Sequence, residues 1–150
     1  MNEAKTLAIR GNLVDIINRR TFGAEISIQN RRIKKIIPTG QDEASYLLPG
    51  FIDAHVHIES SMVTPAAFIH AAVRHGSIGA VADPHERANV MGSEGVEYML
   101  DNAKGIPFYT WLGVPSCVPA TTMETSGAII DADETARLLE GINYPRKGIM

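Results

Sequence analysis

The chain has 150 residues, with 14 Lys and Arg against 17 Asp and Glu, a formal charge of −3, and 45% hydrophobic and 21% charged residues. That length and composition suit one ordinary globular domain, and they exclude extensive disorder, a collagen-like chain or a coiled coil. A pI of about 5.9 gives no general attraction for phosphate backbones or anionic lipid, so neither a nucleic-acid nor a membrane partner is expected.

The first residues, Met1-Asn2-Glu3-Ala4-Lys5, lead into strand-like sequence without a long apolar leader, and no uncharged run is long enough to span a bilayer. The lone cysteine, Cys117, can form no internal disulfide, so a cytoplasmic location is the expectation. Up to Pro49, apolar and polar residues alternate, as in Leu13-Val14-Asp15-Ile16, Ala24-Glu25-Ile26-Ser27-Ile28 and Ile33-Lys34-Lys35-Ile36-Ile37, the period of half-buried strands. Turns are predicted at Thr21-Phe22-Gly23 and Asn30-Arg31. The basic run Arg31-Arg32 with Lys34-Lys35 reads as a solvated strand edge.

After Pro49 the texture changes to short apolar runs followed by helical segments, the β-α rhythm of a parallel sheet buried on both faces. Strands are predicted from Leu48 to Ile58, Ile78 to Asp83 and Ile106 to Leu112, with a fourth beginning at Gly148. The first helix is opened by Thr64 and Pro65, carries Phe68, Ile69, Ala72 and Val73, and is stopped by Gly76. The second carries Val96, Met99, Leu100 and Ala103 and ends at Gly105. The third starts at Asp131 with Glu134 three residues on and runs through Leu138 and Leu139 to Gly141.

The strongest chemical signal is Pro49-Gly50-Phe51-Ile52-Asp53-Ala54-His55-Val56-His57. Alternation along a strand puts Asp53, His55 and His57 on one face. Two imidazoles two residues apart at the C-terminal end of a strand can lean onto one ion, whereas desolvated without a partner they would be costly. The pair therefore reads as metal ligands, followed by the polar loop Glu59-Ser60-Ser61. A second cluster, Ala82-Asp83-Pro84-His85-Glu86, falls at the end of the next strand. His85 and Glu86 there could orient a ligand, form a further metal site or contact substrate, and an exposed loop with Asp83 capping a turn fits the residues equally. The long hydroxyl-rich loop from Val114 to Gly127, with Ser116 and Cys117, suits substrate recognition. Cys117 has no neighbouring cation and no later histidine, which argues against a cysteine nucleophile. His70, His75, Phe108 and Trp111 read as structural. No phosphate loop or dinucleotide fingerprint is present, so no nucleotide cofactor is expected.

With these motifs in order, the chain resembles the adenine deaminases of the amidohydrolase superfamily. The resemblance rests on Pro49 to Met62, on Val81-Ala82-Asp83-Pro84-His85-Glu86 with Ala88-Asn89-Val90, and on Pro115-Ser116-Cys117-Val118-Pro119-Ala120-Thr121 with Glu124-Thr125-Ser126-Gly127. The first half of the first motif is common to the superfamily, dihydroorotases and hydantoinases included, while its extension and the two later motifs are specific to adenine deaminase. Arg87 departs from the pattern, where an apolar residue is expected.

The resemblance implies an α/β fold. Residues 1–48 would be the N-terminal part of a small β-sandwich, and residues 49–150 the first three β-α units of a metal-dependent (β/α)8 TIM-type barrel, incomplete in this chain. It implies hydrolysis of adenine to hypoxanthine and ammonia in purine salvage, with Mn2+ or Fe2+ in a binuclear centre. His55 and His57 take the family's first metal pair, and its remaining ligands and catalytic residues are expected beyond residue 150. Asp53, Glu59, Ser60, Asp83, His85, Glu86, Ser116 and Cys117 are the candidates for substrate contact or ligand support. Another cyclic-amide hydrolase, or an inactive folding and assembly unit, are the alternatives. Three units of a barrel leave open sheet edges, so a homo-oligomer is expected.

Overall fold

The computed structural model describes residues 6–141, which divide between Pro49 and Gly50 into two compact units. The first is a four-stranded sheet of β1 (Thr6–Asp15), β2 (Arg20–Gln29), β3 (Arg32–Pro38) and β4 (Tyr46–Leu47), in the order β3-β2-β1-β4. β1, β2 and β3 form an antiparallel meander, and β4 runs parallel to β1. Ala24 and Ile26 are buried, as the alternation of β2 requires. Asn12 is buried too, its amide donating to the Glu43 carbonyl at 2.8 Å and accepting from the Glu43 N–H at 3.1 Å. β3 lies at the sheet edge and is exposed throughout, so the basic run occupies the solvated edge expected of it.

Asn30 and Arg31 form the expected turn, with φ of 52° and 62°, the left-handed pair that a two-residue hairpin needs to match strand twist. The turn predicted at Thr21-Phe22-Gly23 is not there. Those residues lie inside β2, paired with Val14, Leu13 and Asn12, and the chain reverses over residues 16–19 instead. Asp15 builds that reversal: its carboxylate accepts from the Asn18 N–H at 3.1 Å, the Asn18 amide at 2.7 Å and Arg20 Nε at 3.3 Å. Gly23 serves close approach rather than a turn, since a Cβ there would collide with the Gln41 carbonyl oxygen.

The second unit is α/β. Its strands β5 (Phe51–Val56), β6 (Ser77–Ala82) and β7 (Tyr109–Leu112) form a parallel sheet in that order. The helices are α1 (Pro65–Arg74), α2 (His85–Met91), α3 (Ser93–Ala103) and α4 (Ala132–Gly141), and Glu59–Ser61 is a single 3-10 turn. Local chemistry sets the helix ends. Thr64 Oγ1 accepts from the Ala67 N–H at 3.4 Å with Pro65 in the first turn, and Gly76 leaves at φ 86°. Asp131 accepts from the Glu134 N–H at 2.9 Å at the start of α4. Ile58, Val96, Met99, Leu112 and Leu138 are fully buried in one cluster with Ala82, Ala88, Val118 and Ile130.

Several expectations need correction. Helix α2 occupies a stretch read as loop: the Pro84 carbonyl accepts from the Ala88 N–H at 2.9 Å at its start, and Gly92, with φ of 62°, separates it from α3. β7 begins at Tyr109, three residues later than predicted. Leu139 is exposed while Leu138 takes the core position. β5, read as buried, is exposed over most of its length, with Phe51 at 56% and Ile52 at 54%; it is an edge strand of a three-stranded sheet. The strand expected at Gly148 lies outside the described residues. Among those residues no helix is long and apolar enough to cross a membrane.

Two measurements test this reading of the first unit. Hydrogen bonds from the Asn18 side chain and backbone, with the Arg20 cation, hold the Asp15 carboxyl below its ordinary value of 3.8. Its stabilising contribution is therefore present above that value and is lost as pH falls through the lower folded one. Asn18→Ala should raise the Asp15 pKa toward 3.8 in a carbon-detected NMR titration. Gly23→Ala should cost about 1–3 kcal/mol in denaturant unfolding, the usual penalty for overpacking against a fixed neighbour.

Candidate metal centre

Parallel pairing brings the candidate ligands together. Val56 pairs with Ala82, the last residues of β5 and β6, and the Asp83 N–H donates to the Val56 carbonyl at 3.0 Å. The next side chains, His57 and Asp83, therefore emerge at one level, with His55 two residues earlier on the same face. His55 Nε2 and His57 Nε2 stand 3.2 Å apart, their rings edge-on with centroids 5.1 Å apart. One nitrogen of each ring and an Asp83 carboxylate oxygen all lie within 4.8 Å of one another.

This arrangement fits a divalent cation. Two nitrogens 3.2 Å apart, each about 2.1 Å from one ion, subtend about 100° at it, between the octahedral and tetrahedral angles. Imidazole suits iron or zinc and carboxylate suits manganese, so this mixed donor set is compatible with any of these divalent metals.

A hydrogen-bonded chain runs behind the pair. His57 Nδ1 meets Glu86 Oε2 at 2.9 Å, and Ser60 Oγ donates to Glu86 Oε1 at 2.6 Å. The Glu86 hydrogen bond raises the His57 pKa against a smaller opposing effect of burial. Burial alone would raise the Glu86 carboxyl, but hydrogen bonds from Ser60 and His57 overcome it and bring the carboxyl down to about 2. The His57 side chain is 33% and that of Glu86 47% exposed, so solvent screens the pair and it contributes little to folding.

The other candidates separate by what they touch. Asp53, on the same strand face, accepts from the His55 N–H at 3.1 Å and so braces the strand. Glu59 Oε1 accepts from the Arg87 N–H at 3.2 Å, tying the 3-10 turn to α2, while its Oε2 is buried without a partner. His85 begins α2, half-buried, and takes no part in the chain of bonds. Ser116 and the exposed thiol of Cys117 line a different feature, a cleft of about 630 Å³ with Thr121, Glu124 and Ser126 on its walls. Its loop is pinned by the Ile130 N–H donating to the Val118 carbonyl and the Gly127 N–H to that of Asn89, both at 2.9 Å. Sequence reasoning placed Asp83 among the candidates without seeing that its carboxylate converges with both histidines. The available signal was that it follows β6 by as many residues as His57 follows β5.

Comparison with known proteins defines the class. Residues 46–148 match the amidohydrolase family, and the chain belongs to that family. Membership implies a divalent metal, in keeping with the His55, His57 and Asp83 cluster. Among individual relatives, the chain is 92% identical over 140 residues to an adenine deaminase of Parabacteroides distasonis, covering 93% of the chain and 26% of that protein. It is 50% identical over 129 residues to one from Methanosarcina mazei, covering 86% of the chain and 23% of the relative. It is 49% identical over 140 residues to one from Salinibacter ruber, covering 93% and 26%. The chain thus spans about a quarter of the length of the curated relatives it matches.

Proposed function

We propose that this chain is the metal-holding N-terminal part of an adenine deaminase, a cytoplasmic, homo-oligomeric enzyme of purine salvage that converts adenine and water to hypoxanthine and ammonia. The observation that carries the reading is the 92% identity to the Parabacteroides distasonis adenine deaminase, which runs through the strand bearing both histidines. The parallel sheet β5-β6-β7 forms the first three units of a (β/α)8 barrel, whose chemistry belongs at the C-terminal strand ends, where His57 and Asp83 stand. The first sheet is one part of a small β-sandwich.

In this reading His55, His57 and Asp83 hold manganese or iron, and that cation supplies the Lewis acidity that makes water a nucleophile near neutral pH. His55 and His57 donate through Nε2, and Asp53 keeps the backbone of His55 in place. Asp83 adds negative charge that favours the cation over a third neutral ligand. The hydroxyl-lined cleft at Ser116 and Cys117 offers donors and acceptors suited to the edge of a purine.

The test is turnover of adenine by the complete protein, with dihydroorotate and hydantoin as controls. Ammonia release from adenine alone is expected. His55→Ala and His57→Ala should each lower both metal content and activity by more than the ~100-fold typical of residues that act behind a ligand. Activity on a cyclic amide and none on adenine would replace this reading with that of another amidohydrolase.

A further inference from the structure

We infer that Glu86, held by Ser60, is a positioning residue that fixes the His57 ring so that Nε2 faces the cation. The inference rests on the metal reading above and extends it to two residues on different elements, neither of which is a ligand. His57 Nδ1 lies 2.9 Å from Glu86 Oε2. An ionised carboxylate can only accept, so the proton of a neutral His57 sits on Nδ1 and the lone pair on Nε2. That Nε2 is the atom 3.2 Å from His55 Nε2, and one nitrogen of each ring lies within 4.8 Å of an Asp83 carboxylate oxygen. Ser60 Oγ, 2.6 Å from Glu86 Oε1, occupies the second carboxylate oxygen and stops the group from rotating away.

The sequence separation shows why this is a built arrangement. Ser60 lies in the 3-10 turn after β5, and Glu86 in the first turn of α2 after β6. The two elements are tied independently by the Arg87 N–H donating to Glu59 Oε1. The carboxylate is thereby carried to the rear of the ring by backbone contacts as well as by its own bonds. Partners behind a metal-bound histidine raise ligand basicity and restrict ring rotation, and their loss typically weakens metal binding about 10–100-fold.

The experiment uses the 150-residue chain with Mn2+ as probe, comparing wild type with His57→Ala, Glu86→Leu, Glu86→Gln and Ser60→Ala. Manganese affinity is read by electron paramagnetic resonance, and the His57 tautomer by long-range nitrogen–proton NMR of the metal-free chain in alkaline buffer. Glu86→Leu should weaken manganese at least tenfold and abolish the excess of the Nδ1–H tautomer. Glu86→Gln can still accept from Nδ1–H and should keep that tautomer with a smaller loss of affinity, a rescue that general loosening of the loop would not give. Ser60→Ala should fall between wild type and Glu86→Leu. If His57→Ala binds manganese as wild type does, the metal reading itself fails and takes this inference with it. If His57→Ala loses the ion but Glu86→Leu loses less than tenfold, Glu86 does not position the ligand. If Glu86→Gln loses as much as His57→Ala, Glu86 is a ligand itself and the inference is overturned.

Discussion

The parallel pairing of β5 with β6 is the constraint on which the rest of the site depends. A parallel ladder aligns strand ends that point the same way, and a crossover, usually a helix, has to carry the chain back to the starting end. Here α1 makes that return, and Val56 and Ala82 end level with one another. The residues that follow are then neighbours however far apart they are in sequence. His57 and Asp83 meet for that reason, and so do Ser60 and Glu86 one turn further on. A register shift of one residue would send His55 and His57 to the opposite face, so the apolar contacts that hold register also hold the chemistry.

That dependence explains an apparent mismatch between how well the site is ordered and how exposed it is. His57 and Glu86 are both partly open to solvent, where an isolated ion pair is worth little. The pair is positioned from behind instead. Ile58, between His57 and Glu59, is fully buried in the main core, as are Ala82 just before Asp83 and Ala88 within α2. Each functional side chain is therefore one to three residues from a packed anchor. Rigidity comes from the apolar neighbours, and the polar groups are left free to meet a ligand.

Much of this was legible in the sequence wherever local chemistry decides the outcome. The His-x-His pair on a strand, the Thr64-Pro65 start of α1 and the Asp131 cap of α4 all follow from side chains acting on their own backbone. The readings that failed required knowledge of a distant partner. Gly23 looks like a turn residue until the Gln41 carbonyl is known to press against it. Asp83-Pro84 looks like a loop because proline usually breaks structure, yet here Pro84 opens α2, and the Glu59 carboxylate from another element receives the Arg87 N–H. Asp53 seemed the carboxylate beside the histidines because it shares their strand, but its Oδ1 is engaged by the His55 N–H, and the carboxylate that converges with both rings is that of Asp83, just after β6.

The same reasoning accounts for the apolar surface of the second unit. Parallel sheets are ordinarily covered on both faces, and this three-stranded sheet leaves apolar side chains of all three strands uncovered. Phe51, Ile52, Ile78, Val81 and Tyr109 all remain exposed on β5, β6 and β7. β5 and β7 each also present an unpaired edge among the described residues. An isolated sheet selected for solubility would carry charge or proline at such edges, whereas β5 reads Phe-Ile-Asp-Ala-His-Val. The sequence of β5 is that of an interior strand placed at an edge.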